Sequence, residues 1–203
     1  MGVPKATLAW GGRALAVAHA EAALGAGCGA VRVVVREGAF AALPELSPRA
    51  RWCVSREPDE HGPAGSIVAA LRAGLDGASV VAVSPVDLDP DAWRCVAHLA
   101  RAFDDPAVMA AKPRCAGRGG HPVVMRATVL DGYARGDAAP LRDVLRALGD
   151  AVKSIEVDVP AVLGDLDTPD DLRALGEGRL ALTHQGHTAH DVTRLAEKSR
   201  RAR

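Results

Sequence analysis

Short valine-rich runs alternate along this chain with longer alanine-rich stretches, and this alternation constrains the fold more than any other feature. Val31 to Val35 and Ser79 to Ser84 read as apolar strands, Arg51 to Ser55 as a third. Val108 to Ala111 and Pro122 to Met125 read as two more, and Val152 to Val157 alternates like a strand at a sheet edge. Between them, Arg13 to Ala26 reads as a helix ended by Gly25 and Gly27. Gly38 to Leu43 reads as a short helix stopped by Pro44, and Ser66 to Leu75 as an amphipathic helix with Ser66 as its cap. Asp89 as N-cap and Pro90 at the first helical position open a helix running to about Phe103. Helices follow near Ala127–Ala134 and Pro140–Leu148, and Thr168 caps a last one that begins at Pro169. Strands alternating with helices imply βα units and a mostly parallel, three-layer α/β domain. Ligands in such domains bind at the carboxyl ends of the strands, so the loops after strands are the ones to read for function.

The chain has 203 residues, enough for one domain with a tail. We expect a domain over 1–176 and a solvated, partly helical tail over 177–203, which carries His184, His187 and His190 and then a basic run. The spacing of those histidines is not the i, i+4 pair that one helix face needs to hold a metal. Aromatic residues make up only 3%, so core volume must come from Ala, Val and Leu. The 25 basic and 25 acidic residues balance, which disfavours a nucleic-acid partner. Cys28, Cys53, Cys95 and Cys115 match no zinc spacing and read as free thiols of a reducing cytosol. No apolar run approaches the roughly 20 residues that span a bilayer, and no leader segment is legible, so a cytoplasmic protein is expected.

Two acidic segments can carry chemistry. The run Ser84-Pro85-Val86-Asp87-Leu88-Asp89 delivers a carboxylate just beyond an apolar strand. Asp89 reads as a helix cap. Capping is open to Asp87 too, but its place directly after the strand favours a metal ligand, because Mg²⁺ takes one or two carboxylates plus phosphate oxygens. In Gly164-Asp165-Leu166-Asp167-Thr168-Pro169-Asp170-Asp171-Leu172, the last two aspartates fall in a first helical turn, where the dipole favours them without a function. Asp165 and Asp167 precede that helix on one side of an extended segment, and one of them is a candidate second carboxylate. Lys5, and the Gly119-Gly120-His121-Pro122 turn, gain meaning only from context.

That context is a resemblance. Met1-Gly2-Val3-Pro4-Lys5 is similar to the end of the signature L-A-A-G-x-S-x-R-M-G-x-P-K, and Gly65-Ser66 with Ala73-Gly74-Leu75 to an S-L-x-A-G-L segment. Pro85-Val86-Asp87 matches a P-V-D metal motif. Gly120-His121-Pro122-Val123, Leu141-Arg142-Asp143-Val144-Leu145 and Asp165 to Leu172 match G-H-P-V, L-R-D-x-L and D-I-D-T-P-E-D-L in order. Together these segments resemble the MobA-like nucleotidyltransferases, and among them the molybdenum cofactor cytidylyltransferase branch, over residues 1 to about 175.

The resemblance implies a Rossmann-like sheet of the nucleotide-diphospho-sugar transferase type. It implies transfer of a nucleoside monophosphate, CMP above others, from a nucleoside triphosphate to a small phosphorylated acceptor such as molybdopterin. Lys5 would be the catalytic cation, and Gly2, Lys5, Gly65 and Ser66 would bind the nucleotide. Asp87 and Asp167, with Asp165 as second choice, would hold Mg²⁺, and His121 would face the acceptor. A molybdoenzyme or a maturation factor is the expected protein partner. The family's first strand and its L-A-A-G-x-S-x-R loop have no counterpart after Met1, so we expect a sheet lacking that central strand, with unpaired edges on its two neighbours, and a true start upstream. Two competing readings remain open: a non-catalytic relative acting as a binding or assembly partner, and a relative of nicotine-blue oxidoreductases. The latter finds no G-x-G-x-x-G after a strand here. A third keeps the chemistry and takes a sugar phosphate as acceptor.

Overall fold

The structure, a computed structural model, describes residues 5–37, 43–56, 62–137 and 139–164. It opens with a 3-10 turn over Lys5–Thr7 and a minimal hairpin, β1 (Ala9–Trp10) and β2 (Arg13–Ala14). Gly11 and Gly12 both have positive φ, 54° and 82°, as a two-residue hairpin turn of this hand requires. The helix expected from Arg13 therefore starts later. Arg13 pairs with Trp10, and α1 spans Leu15–Gly25. Its alanine content favours helix, and Gly27 at φ 98° ends it in a left-handed turn. Every residue from Leu15 to Ala20 is buried, which makes α1 a central helix rather than a surface one.

Strand β3 (Val31–Arg36) pairs in parallel with β4 (Ala50–Ser55). Helix α2 spans Gly62–Arg72 and carries the chain toward β5 (Val80–Val83). Pro63 falls in the first turn of α2, where a missing N–H costs nothing. Ser66 is thus inside the helix and is not its cap, a correction to the expected start. After β5 a 3-10 turn (Pro90–Cys95), α3 (Val96–Ala100) and another 3-10 turn (Arg101–Asp104) form one helical arm. Asp89 caps it as expected, accepting from the Asp91 N–H at 2.8 Å.

The second half builds the larger sheet. Strand β6 (Ala110–Cys115) turns through β7 (Arg118–Gly119) into β8 (Val123–Arg126). Two short helices, α4 (Asp131–Ala134) and α5 (Leu141–Ala147), precede β9 (Val152–Glu156). β9 lies parallel to β6 at the sheet edge, as its alternation suggested, and β8 enters antiparallel between β5 and β6. The described ladders fall into a β3–β4 pair and a five-stranded sheet, with a hairpin apart. No ladder joins β3 to β5 among the described residues.

Helices cover both faces. Val33 and Val35 of β3 pack with Ala16 and Ala20 of α1, while Val80 and Ala82 of β5 pack on the cluster of Ala23, Trp93, Val96 and Leu99. Val81 and Val83 point the other way, to Ala64 and Ile67 of α2. Alternate residues of one strand thus feed opposite cores, the period of two that a sheet between helix layers demands. The fold is the three-layer α/β sandwich expected from the sequence. Burial pushes the Cys95 thiol up to about 11, so it is a protonated packing residue, and all four cysteines are free. Residues 1–165 form one compact unit. The expected boundary after 176 and the tail lie outside the described residues, as does the short helix expected from Gly38.

Candidate functional site

Strand β5 ends at Val83, and the chain then makes an irregular loop through Asp87 to Asp89. The Asp87 carboxylate receives the Lys5 ammonium, Nζ to Oδ2 at 3.0 Å, across 82 positions of sequence. Both side chains are about one-third exposed, 32% for Lys5 and 37% for Asp87. Their neighbours are anchored: Ala6 is buried, and Val86 packs into the same cluster with Val33 and Val35. An ion pair this wet adds at most ~1 kcal/mol to stability. Its meaning is positional, because it places an ammonium and a carboxylate beside each other at a strand's carboxyl end.

The antiparallel register of β5 and β8 brings a second segment to this edge. Val83 pairs with Val123 as the last rung of the ladder, so the turn carrying His121 and Pro122 arrives at the carboxyl end of β5. A third segment, the 3-10 turn Pro160–Leu163 with Gly164, ties the first two together. The Val162 carbonyl accepts from the His121 N–H at 3.0 Å, and the Gly164 carbonyl accepts from the Asp89 N–H at 3.1 Å. Gly120 makes this junction possible. A Cβ there would lie 2.1 Å from the Val162 carbonyl oxygen, a backbone atom that cannot swing aside. Gly120→Ala is therefore expected to cost about 3 kcal/mol of folding stability, since the turn must move or the strand must distort. Urea unfolding checks this, and an unchanged midpoint would show that the turn is not held against Gly120.

Beneath the loop lies a polar contact that sequence reasoning missed. His19, in the middle of α1, is 6% exposed. Its Nδ1 accepts from the Trp93 indole N–H at 2.9 Å, and its Nε2 lies 2.9 Å from the Leu88 carbonyl. An indole N–H only donates, so Nδ1 must be the unprotonated nitrogen and Nε2–H must donate to Leu88. The ring is thus neutral, with its tautomer fixed by its partners. Burial pushes its pKa down from 6.5, against smaller upward pulls from the Leu88 carbonyl and the Asp87 charge. Below pH 6.5 the unfolded chain takes up a proton at this residue that the folded one refuses. The unfolded state then binds more protons, so stability falls with pH, by up to ~1.4 kcal/mol per unit, until the folded pKa is reached. Urea unfolding between pH 7.5 and about 5 is expected to show a steeper acid loss in the native protein than in His19→Gln. Parallel slopes would mean that His19 titrates normally in the fold.

The structure thus joins Lys5 directly to Asp87 and sets His121 on the same edge. Gly65 and Ser66 sit in the first turns of α2. That helix follows the carboxyl end of β4, the kind of position at which α/β folds bind ligands. Gly2, Asp165 and Asp167 lie outside the described residues, and Gly164 is the last residue described before the two aspartates. Among the described residues no group of three or more His, Cys, Asp or Glu side chains forms a metal cage. The donor that is present, a partly exposed carboxylate already facing a cation, fits a metal such as Mg²⁺ that keeps most of its waters and takes one or two carboxylates. Among the described residues no helix is long and apolar enough to cross a membrane.

Comparison with known proteins places the fold and the family. No curated protein matches the chain. Among solved structures, Rv0371c from Mycobacterium tuberculosis H37Rv is 26% identical, covers 87% of this chain and 90% of its own, and superposes with a TM-score of 0.66. The same protein in complex with manganese is 22% identical over 85% of this chain and 90% of that one, with a TM-score of 0.60. A CMP:2-keto-3-deoxy-manno-octonic acid synthetase complexed with CTP shares the fold at 18% identity, covering 90% of this chain and 92% of that one, with a TM-score of 0.65. So does the molybdopterin-guanine dinucleotide biosynthesis protein A of Archaeoglobus fulgidus, at 18% identity, 85% and 89% coverage and a TM-score of 0.55. Residues 1–152 match the MobA-like NTP transferase domain, and the chain belongs to that family of nucleotidyltransferases.

Proposed function

We propose that this protein transfers a nucleoside monophosphate, CMP above others, from the triphosphate to a small phosphate-bearing acceptor such as molybdopterin, releasing pyrophosphate. The observation that carries the reading is the Lys5–Asp87 pair, 3.0 Å apart at the carboxyl end of β5. In the reaction an acceptor phosphate oxygen bonds to the α-phosphorus while the bond from that phosphorus to the bridging oxygen breaks, and the electron pair leaves with pyrophosphate. Charge accumulates on the phosphoryl oxygens, so the protein's work is positioning and neutralisation, and no nucleophilic side chain is needed. A divalent cation, Mg²⁺ in this reading, neutralises that charge as a Lewis acid when bound. Asp87 would hold it, with Asp167 or, failing it, Asp165 as second carboxylate. Lys5 would place its ammonium on the reacting phosphates. Gly2, Gly65 and Ser66 would contact the nucleotide, and His121 the acceptor.

Support for the pyrimidine nucleotide comes from the CTP complex among the structural neighbours, and for the metal from the manganese complex. The acceptor rests on the motif resemblance alone. On this reading the protein works in the cytoplasm and passes its product to a molybdoenzyme or a maturation factor. The test is calorimetric binding of CTP and GTP with and without Mg²⁺, followed by pyrophosphate release with molybdopterin present. Metal-dependent CTP binding that is tighter than GTP binding is expected. Failure of both nucleotides to bind would overturn the transferase reading and turn attention to a binding or assembly role.

A further inference from the structure

Asp87 is partly exposed, so its position depends on what fixes the backbone around it. Four restraints do so. Val86 packs into the cluster of Ala6, Val33 and Val35, and Leu88 is 2% exposed. The Asp89 N–H is held by the Gly164 carbonyl. The fourth is the bond from the His19 ring to the Leu88 carbonyl, the peptide that directly follows Asp87. It crosses from α1 through the buried interior, and His19 is in turn held by the Trp93 indole.

We propose that His19, oriented by Trp93, is a positioning residue that clamps the Asp87 loop in its cation-binding conformation. The inference rests on the reading of Asp87 as the carboxylate that holds the cation. The geometry gives the clamp a direction. The Trp93 N–H takes the lone pair of Nδ1, which leaves Nε2 as the donor and aims that donor at Leu88. Without it the Leu88 carbonyl is buried and unsatisfied, and the loop gains by turning that carbonyl toward solvent. Asp87 turns with it. A small displacement of a group that must meet a phosphate-bound cation costs far more than the lost hydrogen bond, because alignment is what the site supplies.

Two variants separate positioning from simple stability. His19→Leu fills the space and makes neither bond. His19→Gln has an amide N–H that can reach where Nε2–H was and no acceptor at the place of Nδ1. Both leave the Trp93 N–H unsatisfied and so both lose folding stability in urea, His19→Leu at least as much as His19→Gln. Affinity for Mn²⁺ together with CTP, read by calorimetry, is expected to fall about 10- to 100-fold in His19→Leu, the range set by one unsatisfied buried carbonyl, and to stay within about threefold in His19→Gln. Amide exchange at Leu88 and Asp89, read without ligand, is expected to quicken in the Leu variant and not in the Gln variant. Equal affinities in the two variants, with exchange unchanged in both, would reduce His19 to a packing residue. If the native protein binds no Mn²⁺ with CTP, the transferase reading fails and exchange alone decides the clamp: quickening confined to the Leu variant upholds it, and no difference overturns it.

Discussion

Asp87→Ala is expected to lower metal-dependent nucleotidyl transfer by about 10³-fold while leaving the fold intact. The size follows from the role. A carboxylate that would hold the catalytic cation would contribute several kcal/mol of charge stabilisation, and each ~1.4 kcal/mol is tenfold in rate. The survival of the fold follows from the surroundings. The Asp87 side chain is 37% exposed and bonds to a lysine that is itself about one-third exposed. The loop is held by the Leu88 side chain, by the Leu88 carbonyl on His19, and by the Asp89 N–H on the Gly164 carbonyl, none of which uses the Asp87 carboxylate. Asp89→Ala is the control with the opposite signature. Asp89 is 7% exposed and caps the following turn, so its loss is expected to cost about 1 kcal/mol of stability. Pyrophosphate release titrated against Mg²⁺, alongside urea unfolding, reads both. Native turnover in Asp87→Ala would show that the cation is held elsewhere.

Much of the fold was legible because it rests on patterns with a mechanical cause. The valine runs at 31–35 and 80–83 became β3 and β5, since β-branched side chains between helix layers leave no other economical arrangement. Asp89-Pro90 announced a helix start that Asp89 does cap. Errors came where local chemistry overrode period. Gly11-Gly12 is a hairpin signal, but the alanine run that follows Arg13 hides it, because alanine marks no face and fits a helix from any start. Strand β6 extends past Ala111 to Cys115 through Lys112, Pro113 and Arg114, a polar stretch with a proline that reads as a break. Pro113 is tolerated because the β8 and β7 ladders on that side of β6 stop short of it, at Ala111 and Arg114, while its carbonyl takes the Gly120 N–H.

The candidate site was legible as residue types at strand ends, and not as a constellation. Asp87 stands out by its place just after an apolar strand and Lys5 only through the motif resemblance, and only the folded chain brings them to 3.0 Å. His19 carried one faint signal, a lone polar residue inside an otherwise apolar helix. Its partners at Leu88 and Trp93 are 69 and 74 positions away, a separation that no periodicity argument spans. The Val162 and Gly164 carbonyls are illegible in principle. Backbone acceptors have no sequence signature, and what betrays them is the glycine opposite, here Gly120, whose need to lack a Cβ appears only with coordinates.

Lys5→Ala is expected to divide two quantities that a general loss of structure would move together. Turnover should fall about 10²-fold, the scale of removing one preorganised cation from developing phosphoryl charge. Affinity for Mn²⁺ should hold or tighten. In the structure the Lys5 ammonium occupies the Asp87 carboxylate, and an arriving cation must share that oxygen with it or displace it. Deleting the lysine removes that competitor and leaves the carboxylate free. Lys5→Arg keeps the charge but spreads it over a planar fork, so it should recover only part of the rate where a compact ammonium is needed. Steady-state turnover with calorimetric Mn²⁺ binding on each variant reads the split. A parallel loss of both would make the lysine a brace for the loop rather than a partner of the phosphates, and an unchanged rate would return it to the ordinary role of a solvated surface charge.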